Sequence, residues 1–295
     1  MNVELVNKFL KTKANPNKIT LLRIFLLPLP CALLFLESYS AKLTALGLGS
    51  LLGVTDYLDG VIARKYRKIT PIGTLLDPIA DKIFVTGVYL TLVYLNYFNF
   101  IPVFLIILRE IFISYLRSWF TEEMKVAKIA KIKTVFQMSI AGFAVLLNLY
   151  FSFYFSYINY LLWGIVIFSY LSAIPYFYRV YKAIRKFKYS LKSFFISFYS
   201  LLYPLLLLIT FPLAKNLFFI NILGLCFYFF KKGLAKASPT WAHKESWFIL
   251  AILIFVIFEY FYLKHLYFSL WGILLFSLYR DGFKSLKIMW NILRV

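Results

Sequence analysis

Apolar residues in this chain run in long blocks instead of marking one face of a helix or alternating along a strand. Ile19–Leu36, Phe84–Tyr97, Val135–Tyr157, Tyr160–Tyr178, Ser193–Leu213 and Trp247–Leu263 are such blocks. Each is close to or at the ~20 residues that a helix needs to cross a bilayer. The pattern predicts six helical spans over roughly 19–37, 43–64, 72–96, 101–120, 132–151 and 158–178. About four more are expected beyond them, of which 217–230 and 266–279 are short enough to be tilted or re-entrant. The expected fold class is therefore an all-α integral membrane protein.

The polar breaks between these blocks alternate in charge. Lys and Arg gather in Lys8–Lys18, Arg64–Lys68, Arg117–Lys133 and Arg179–Lys192, which together hold 19 of them. The connections between, around Glu37–Lys42, Leu95–Pro102 and Asn148–Tyr160, hold only Lys42. Basic loops stay on the cytoplasmic side, so the N-terminus and every basic loop are placed there. The alternation continues with Lys231, Lys232, Lys236 and Lys244 inside, then Arg280, Lys284, Lys287 and Arg294 inside, and Lys215 and Lys264 outside.

Composition sharpens this reading. Of 295 residues, 62% are hydrophobic and only 15% charged, against about 45–50% and about 25% in soluble domains. A net charge of +21 would otherwise suggest a nucleic-acid partner, but its confinement to alternate loops assigns it to membrane topology, and no nucleic acid is expected. Cys31 and Cys226 lie inside apolar blocks without metal or redox spacing. Met1–Lys18 is polar and basic and no small-residue cleavage site follows the first block, so no cleavable signal is expected.

The acidic residues supply the chemistry. Four of the chain's 12 acids, Asp56, Asp59, Asp77 and Asp81, fall in one 26-residue stretch flanked by apolar sequence. An ionised carboxylate near the centre of a span costs about 2.5–3.5 kcal/mol, so four need a compensating partner. Spacings of three and four put each pair on one helix face. Both pairs lie a similar rise from the intervening basic loop, just inside the cytoplasmic mouth of antiparallel neighbours. Converging carboxylates without His or Cys make a hard-cation site, suited to Mg²⁺ or Mn²⁺. Gly60, Ala63 and Gly73 leave the acidic faces bare, as close approach by a phosphate-bearing ligand requires. Arg64 at the mouth suits a phosphate. Helix–helix adhesion, or a proton or cation relay, is the competing explanation of such acids.

The run Asp56-Tyr-Leu-Asp59-Gly60-Val-Ile-Ala63-Arg64, with Gly73, Asp77 and Asp81 following, matches every fixed position of D-x2-D-G-x2-A-R-x8-G-x3-D-x3-D. On these residues the chain resembles the CDP-alcohol phosphatidyltransferase family. Asn15–Arg23, Arg109–Arg117 and Lys131–Gln137 resemble segments of the phosphatidylglycerophosphate synthases within it, with Ala130 departing from their usual Gly. The resemblance covers about residues 4–181. It implies a six-helix bundle and displacement of CMP from CDP-diacylglycerol by sn-glycerol 3-phosphate. Asp56, Asp59 and Asp77 would be metal ligands and Asp81 a ligand that also accepts the proton. Gly60, Arg64 and Thr70 would contact the CDP moiety, and Pro16, Asn17 and Thr20 would line the nucleotide. Arg109, Arg117, Lys131 and Lys133 are the cations for the acceptor phosphate. Arg109 is costly inside a span, with pairing to Glu110 as its structural alternative. Lys131 and Lys133 serve equally well as topology markers or lipid contacts, and Lys82 as mere charge balance.

The expected organisation is a catalytic membrane domain over 1–185 and a helical membrane extension over 186–295. The extension carries no catalytic constellation; His243 reads as inert and Lys284–Arg294 as a surface amphipathic segment. The expected location is the inner (plasma) membrane, multi-pass, with the site facing the cytoplasm. CDP-diacylglycerol, glycerol 3-phosphate and membrane lipids are the expected partners, with a homodimer left open. Alternative acceptors or donors within the same chemistry are phosphatidylglycerol, inositol phosphate and an archaeal lipid. From a different class, a cation-coupled transporter would use the four aspartates as an ion site.

Overall fold

The computed structural model of the chain describes residues 16–65, 71–120, 128–151, 157–185, 201–212 and 218–234. Among these residues every regular element is a helix, and strands are absent. The order is α1 (Pro16–Leu26), α2 (Pro28–Leu34), α3 (Tyr39–Lys65), α4 (Pro71–Tyr94), α5 (Phe100–Trp119), α6 (Lys128–Tyr150), α7 (Ile158–Leu171), α8 (Ile174–Arg185), α9 (Leu202–Thr210) and α10 (Phe218–Leu234). The first eight fall within a few residues of the six apolar segments read from the sequence, two of which are each divided into a pair of helices.

Proline explains both divisions. Between α1 and α2, Leu27 keeps helical angles and its N–H still reaches the Arg23 carbonyl at 3.1 Å. Pro28 and Pro30 then remove the next donors, so the rod bends without ending. Between α7 and α8, Pro175 cannot donate, and the ladder shortens locally, with Ala173 N–H bonded to Tyr170 O at 2.9 Å. Taken together, Ile158–Lys182 is the one helical run among the described residues long and apolar enough to cross a membrane. The long helices α3 to α6 carry charged residues within them, and those of α4, α5 and α6 enter the site below.

One end of the bundle is tied by neutral and singly charged groups. Asn148 on α6 accepts from the Tyr97 hydroxyl at 2.6 Å and from Lys42 Nζ at 3.2 Å. Asn159 caps the start of α5 through the Asn99 N–H at 2.9 Å. Asn96 turns the chain between α4 and α5 at φ 59°, a left-handed angle that Asn tolerates. These residues belong to the three connections poor in Lys and Arg, which therefore meet at one end.

The helices pack around α4. It touches α1, α2, α5, α6 and α10, while α3 is held by α1, α2 and α6. Tyr89, fully buried on α4, donates to the Gln137 carbonyl of α6 at 3.0 Å. Gly87 lets α4 approach Leu27, whose Cδ2 would lie 3.1 Å from an added Cβ. Large apolar side chains such as Leu51, Val135, Phe136, Tyr160 and Ile167 project outward. Apolar surface of this extent suits hydrocarbon around the bundle and not water.

Candidate active site

Asp81 sits on α4 about a third exposed, and Arg23 of α1 reaches it, Nη2 to Oδ1 at 3.5 Å. Arg23 itself is 95% removed from solvent. A cation buried in an apolar helix is costly unless an anion faces it, and Asp81 is that anion. In the sequence Arg23 stands out only within the segment Asn15–Arg23. Its isolation in the first apolar block was the available signal.

Asp81 and Arg23 both line a cavity of about 680 Å³ enclosed by α1, α2, α3, α4 and α6. Away from these two charges its walls are mostly apolar, including Leu52, Phe84, Val88, Met138 and Phe143, with the hydroxyls of Ser50, Thr134 and Ser139 among them. Gly49 and Gly53 of α3 border it, and a Cβ added at either would meet nothing within 4 Å. The absence of side chains there keeps the groove open. Helices α3 and α4, read from the sequence as antiparallel neighbours, thus face each other across a cavity and are held by α1, α2 and α6.

A second polar group lies among α4, α5, α6 and the α7–α8 break. Arg109 Nη1 donates to Glu110 Oε1 at 2.9 Å and Nη2 to Ser172 Oγ at 3.2 Å. Ser172 Oγ in turn donates to Ser169 O at 2.7 Å. Lys133 Nζ donates to the same Glu110 oxygen. Lys82 Nζ donates to Ser114 Oγ, which donates to the Glu110 carbonyl at 2.7 Å. Arg109, Glu110, Ser114 and Lys133 are all buried. The charges of Glu110, Arg117, Arg109 and Lys133 all act on Lys82, and that of Asp81 acts on Lys133.

The charge count is unequal. Among the described residues three cations, Lys82, Arg109 and Lys133, act on Glu110 and Arg117 adds its charge at Lys82, with Asp81 at the margin and already facing Arg23. Arg109 Nε and Arg117 Nε are buried with no hydrogen-bond partner among the described residues. A buried excess of positive charge is expensive, and an added anion with several oxygens would offset it and take up the open donors. The pairing of Arg109 with Glu110, its structural alternative, is present, and among the described residues that one carboxylate is shared with Lys133. Lys82, read as charge balance, is drawn into this group by Ser114. Nothing local in the sequence marks Lys82, Ser114 or Ser172 as members of this group.

Of the other expected site residues, Thr20 is buried on α1. The backbones of Asp56, Asp59, Gly60 and Arg64 lie on α3, that of Asp77 on α4, those of Pro16 and Asn17 on α1 and that of Lys131 on α6. Their side chains lie outside the described set, as does Thr70 entirely. Among the described residues no group of three or more metal-ligating side chains occurs. Segment 266–279, His243 and Lys284–Arg294 also lie outside the described residues.

The chain is similar to known proteins. A CDP-diacylglycerol–glycerol-3-phosphate 3-phosphatidyltransferase of Rickettsia typhi is 36% identical over 126 residues, which is 42% of this chain and 71% of that protein. The protein of the same name from Haemophilus influenzae is 36% identical over 134 residues, covering 43% of this chain and 72% of its own. One from Pseudomonas fluorescens is 38% identical over 109 residues, covering 36% and 56%. The family model for CDP-alcohol phosphatidyltransferase matches residues 13–171, which hold the aspartate quartet, the cavity and the cation group. By that match over more than half its length, this chain belongs to the CDP-alcohol phosphatidyltransferase family, whose members are membrane enzymes.

Proposed function

We propose that the chain transfers the phosphatidyl group of CDP-diacylglycerol to sn-glycerol 3-phosphate, giving phosphatidylglycerol phosphate and CMP. The observation that carries this reading is the excess of cations over carboxylates around Glu110 among the described residues, adjoining Asp81. An acceptor that brings its own phosphate would compensate it, whereas a neutral alcohol such as serine's hydroxyl end would not. The names of the partial relatives point to the same acceptor.

In this reading the acyl chains of the donor lie in the apolar cavity beside Gly49 and Gly53, with the pyrophosphate toward Asp81 and Arg23. Gly60, Arg64 and Thr70 hold the CDP end, with Pro16, Asn17 and Thr20 on the nucleotide side. Arg109, Arg117, Lys131 and Lys133 hold the acceptor phosphate, joined by Lys82. Asp81 accepts the proton of the attacking primary hydroxyl, whose oxygen bonds to the phosphatidyl phosphorus as the bond to the CMP oxygen breaks. Arg23 keeps the Asp81 carboxylate oriented.

Asp56, Asp59, Asp77 and Asp81 would hold Mg²⁺ or Mn²⁺. In support, their donor set is all oxygen, as a hard cation requires, and the two pairs belong to α3 and α4, helices that border one cavity. Such an ion, when bound, neutralises charge on the pyrophosphate and the departing CMP. Residues 1–185 form the catalytic membrane domain in this account, as a six-helix bundle, and 186–295 a further set of about four membrane helices. The protein sits in the inner membrane with the site facing the cytoplasm.

The test is CMP release from CDP-diacylglycerol by purified protein with Mg²⁺ or EDTA and with glycerol 3-phosphate, glycerol, serine, inositol phosphate or phosphatidylglycerol. Metal-dependent release with glycerol 3-phosphate and not with glycerol is expected. Release with serine or phosphatidylglycerol in preference would overturn the acceptor assignment, and ion flux without release would favour a transporter.

A further inference from the structure

The family match ends at residue 171, yet α10, which begins at Phe218, packs on both α4 and α5. Its first turn is wedged among aromatic rings, with Phe218 centred 4.8 Å from Tyr94 at the end of α4 and 5.6 Å from Phe35. Leu225, Tyr228 and Phe229 are buried along its length. The buried face of α10 is therefore occupied by the helices that carry Asp81, Lys82, Arg109 and Glu110.

Two polar contacts set how α10 lies on α5. The Tyr228 hydroxyl donates to the Ile111 carbonyl at 3.2 Å. Lys232 Nζ stands over the Tyr115 ring, 5.4 Å from its centre. Tyr228 and Lys232 are four apart, and so are Ile111 and Tyr115, so both contacts fall one helical turn apart on both helices and advance in the same direction. Helices α10 and α5 therefore run parallel and share one register. A slip of one turn would break both contacts at once. Apolar knobs alone tolerate such slips better than a hydroxyl–carbonyl bond and a cation over a ring, which are directional.

The span of α5 that is gripped, Ile111 to Tyr115, lies between Glu110 and Arg117 and contains Ser114. Rotation or sliding of α5 there moves Arg109, Glu110, Ser114 and Arg117 together relative to Lys82 on α4 and Lys133 on α6. We propose that Tyr228 and Lys232 are positioning residues: the chain's own α10, beyond the residues that the family matches, locks α5 so that the cation group is held to fit the acceptor phosphate. This inference rests on the acceptor assignment above. It gives the C-terminal region a part in acceptor affinity without placing any of its residues in contact with substrate.

The experiment uses the full chain with Tyr228→Phe, Lys232→Met and Lys232→Arg. The hydroxyl or the cation is removed in the first two, and the third keeps the charge over the ring. In CMP release with saturating CDP-diacylglycerol, Tyr228→Phe and Lys232→Met should each raise KM for glycerol 3-phosphate roughly two- to tenfold, the range that one net hydrogen bond or cation–ring contact supports. KM for CDP-diacylglycerol and the melting temperature in detergent should stay near wild type, and Lys232→Arg should restore acceptor KM. Hydrogen–deuterium exchange over 105–118 should quicken in the first two variants, a readout independent of any acceptor. Unchanged acceptor KM, or equal losses in donor KM and melting temperature, would overturn the positioning role. If wild-type protein releases no CMP with glycerol 3-phosphate, the acceptor assignment fails. Unchanged exchange over 105–118 would, even then, refute the lock.

Discussion

Arg109→Gln separates binding from folding more cleanly than any other change in the cation group. Arg109 makes two side-chain bonds, to Glu110 at 2.9 Å and to Ser172 at 3.2 Å, and is 5% exposed. Its loss removes one charge from a cluster with a positive excess, and Glu110 keeps Lys133. The cost to the fold is therefore small, about 1 kcal/mol or less, since relief of repulsion offsets the lost bonds. The cost to acceptor binding is larger. Hydrogen bonds to a charged group contribute about 1.5–3 kcal/mol, which converts to roughly ten- to a hundredfold in affinity. The assay is steady-state CMP release against glycerol 3-phosphate concentration, paired with a detergent melting curve. Acceptor KM should rise by that factor while donor KM and the melt hold. A variant with wild-type acceptor KM, or one that simply unfolds, would refute the claim that Arg109 serves the phosphate and not the bundle.

Glu110→Gln should give the opposite signature: it leaves the buried cations without their shared carboxylate and should cost about 3–5 kcal/mol of stability. Added inorganic phosphate should recover part of the lost melting temperature. Asp81→Asn should lower turnover by roughly a hundred- to ten-thousandfold, the usual contribution of a positioned base, while CDP-diacylglycerol binding by equilibrium dialysis is largely spared. Gly53→Leu should not weaken α3, because Gly is the poorer helix former by about 1 kcal/mol. By displacing about two methylenes of buried ligand it should raise donor KM roughly tenfold, and a short-chain donor should escape most of that penalty.

Helix bounds were legible because an apolar block as long as a bilayer is thick leaves few choices of structure. Asp56 to Asp81 stand out in the sequence because charge inside such blocks is expensive. Arg109 and Glu110 stood out likewise. What the chain did not disclose was which helix faces which. A helix that is apolar on all sides has no periodicity to orient it, so the pairing of Arg23 with Asp81 and the recruitment of Lys82 through Ser114 had no local signature. The Pro175 break was visible as a residue, but its consequence was not: it places Ser172 where Arg109 can reach it. The register of α10 on α5 depends on Tyr228 meeting Ile111, 117 positions away, and nothing in either segment alone specifies it.

The central claim is that the buried cations beside Asp81 select an acceptor carrying phosphate. The most direct test is the mass of the lipid formed by the purified full chain from CDP-diacylglycerol, Mg²⁺ and an equimolar mixture of glycerol 3-phosphate and glycerol. The account predicts phosphatidylglycerol phosphate in amounts equal to the CMP released, with no phosphatidylglycerol. Phosphatidylglycerol as the main product, or CMP release that ignores the phosphorylated acceptor, would contradict it.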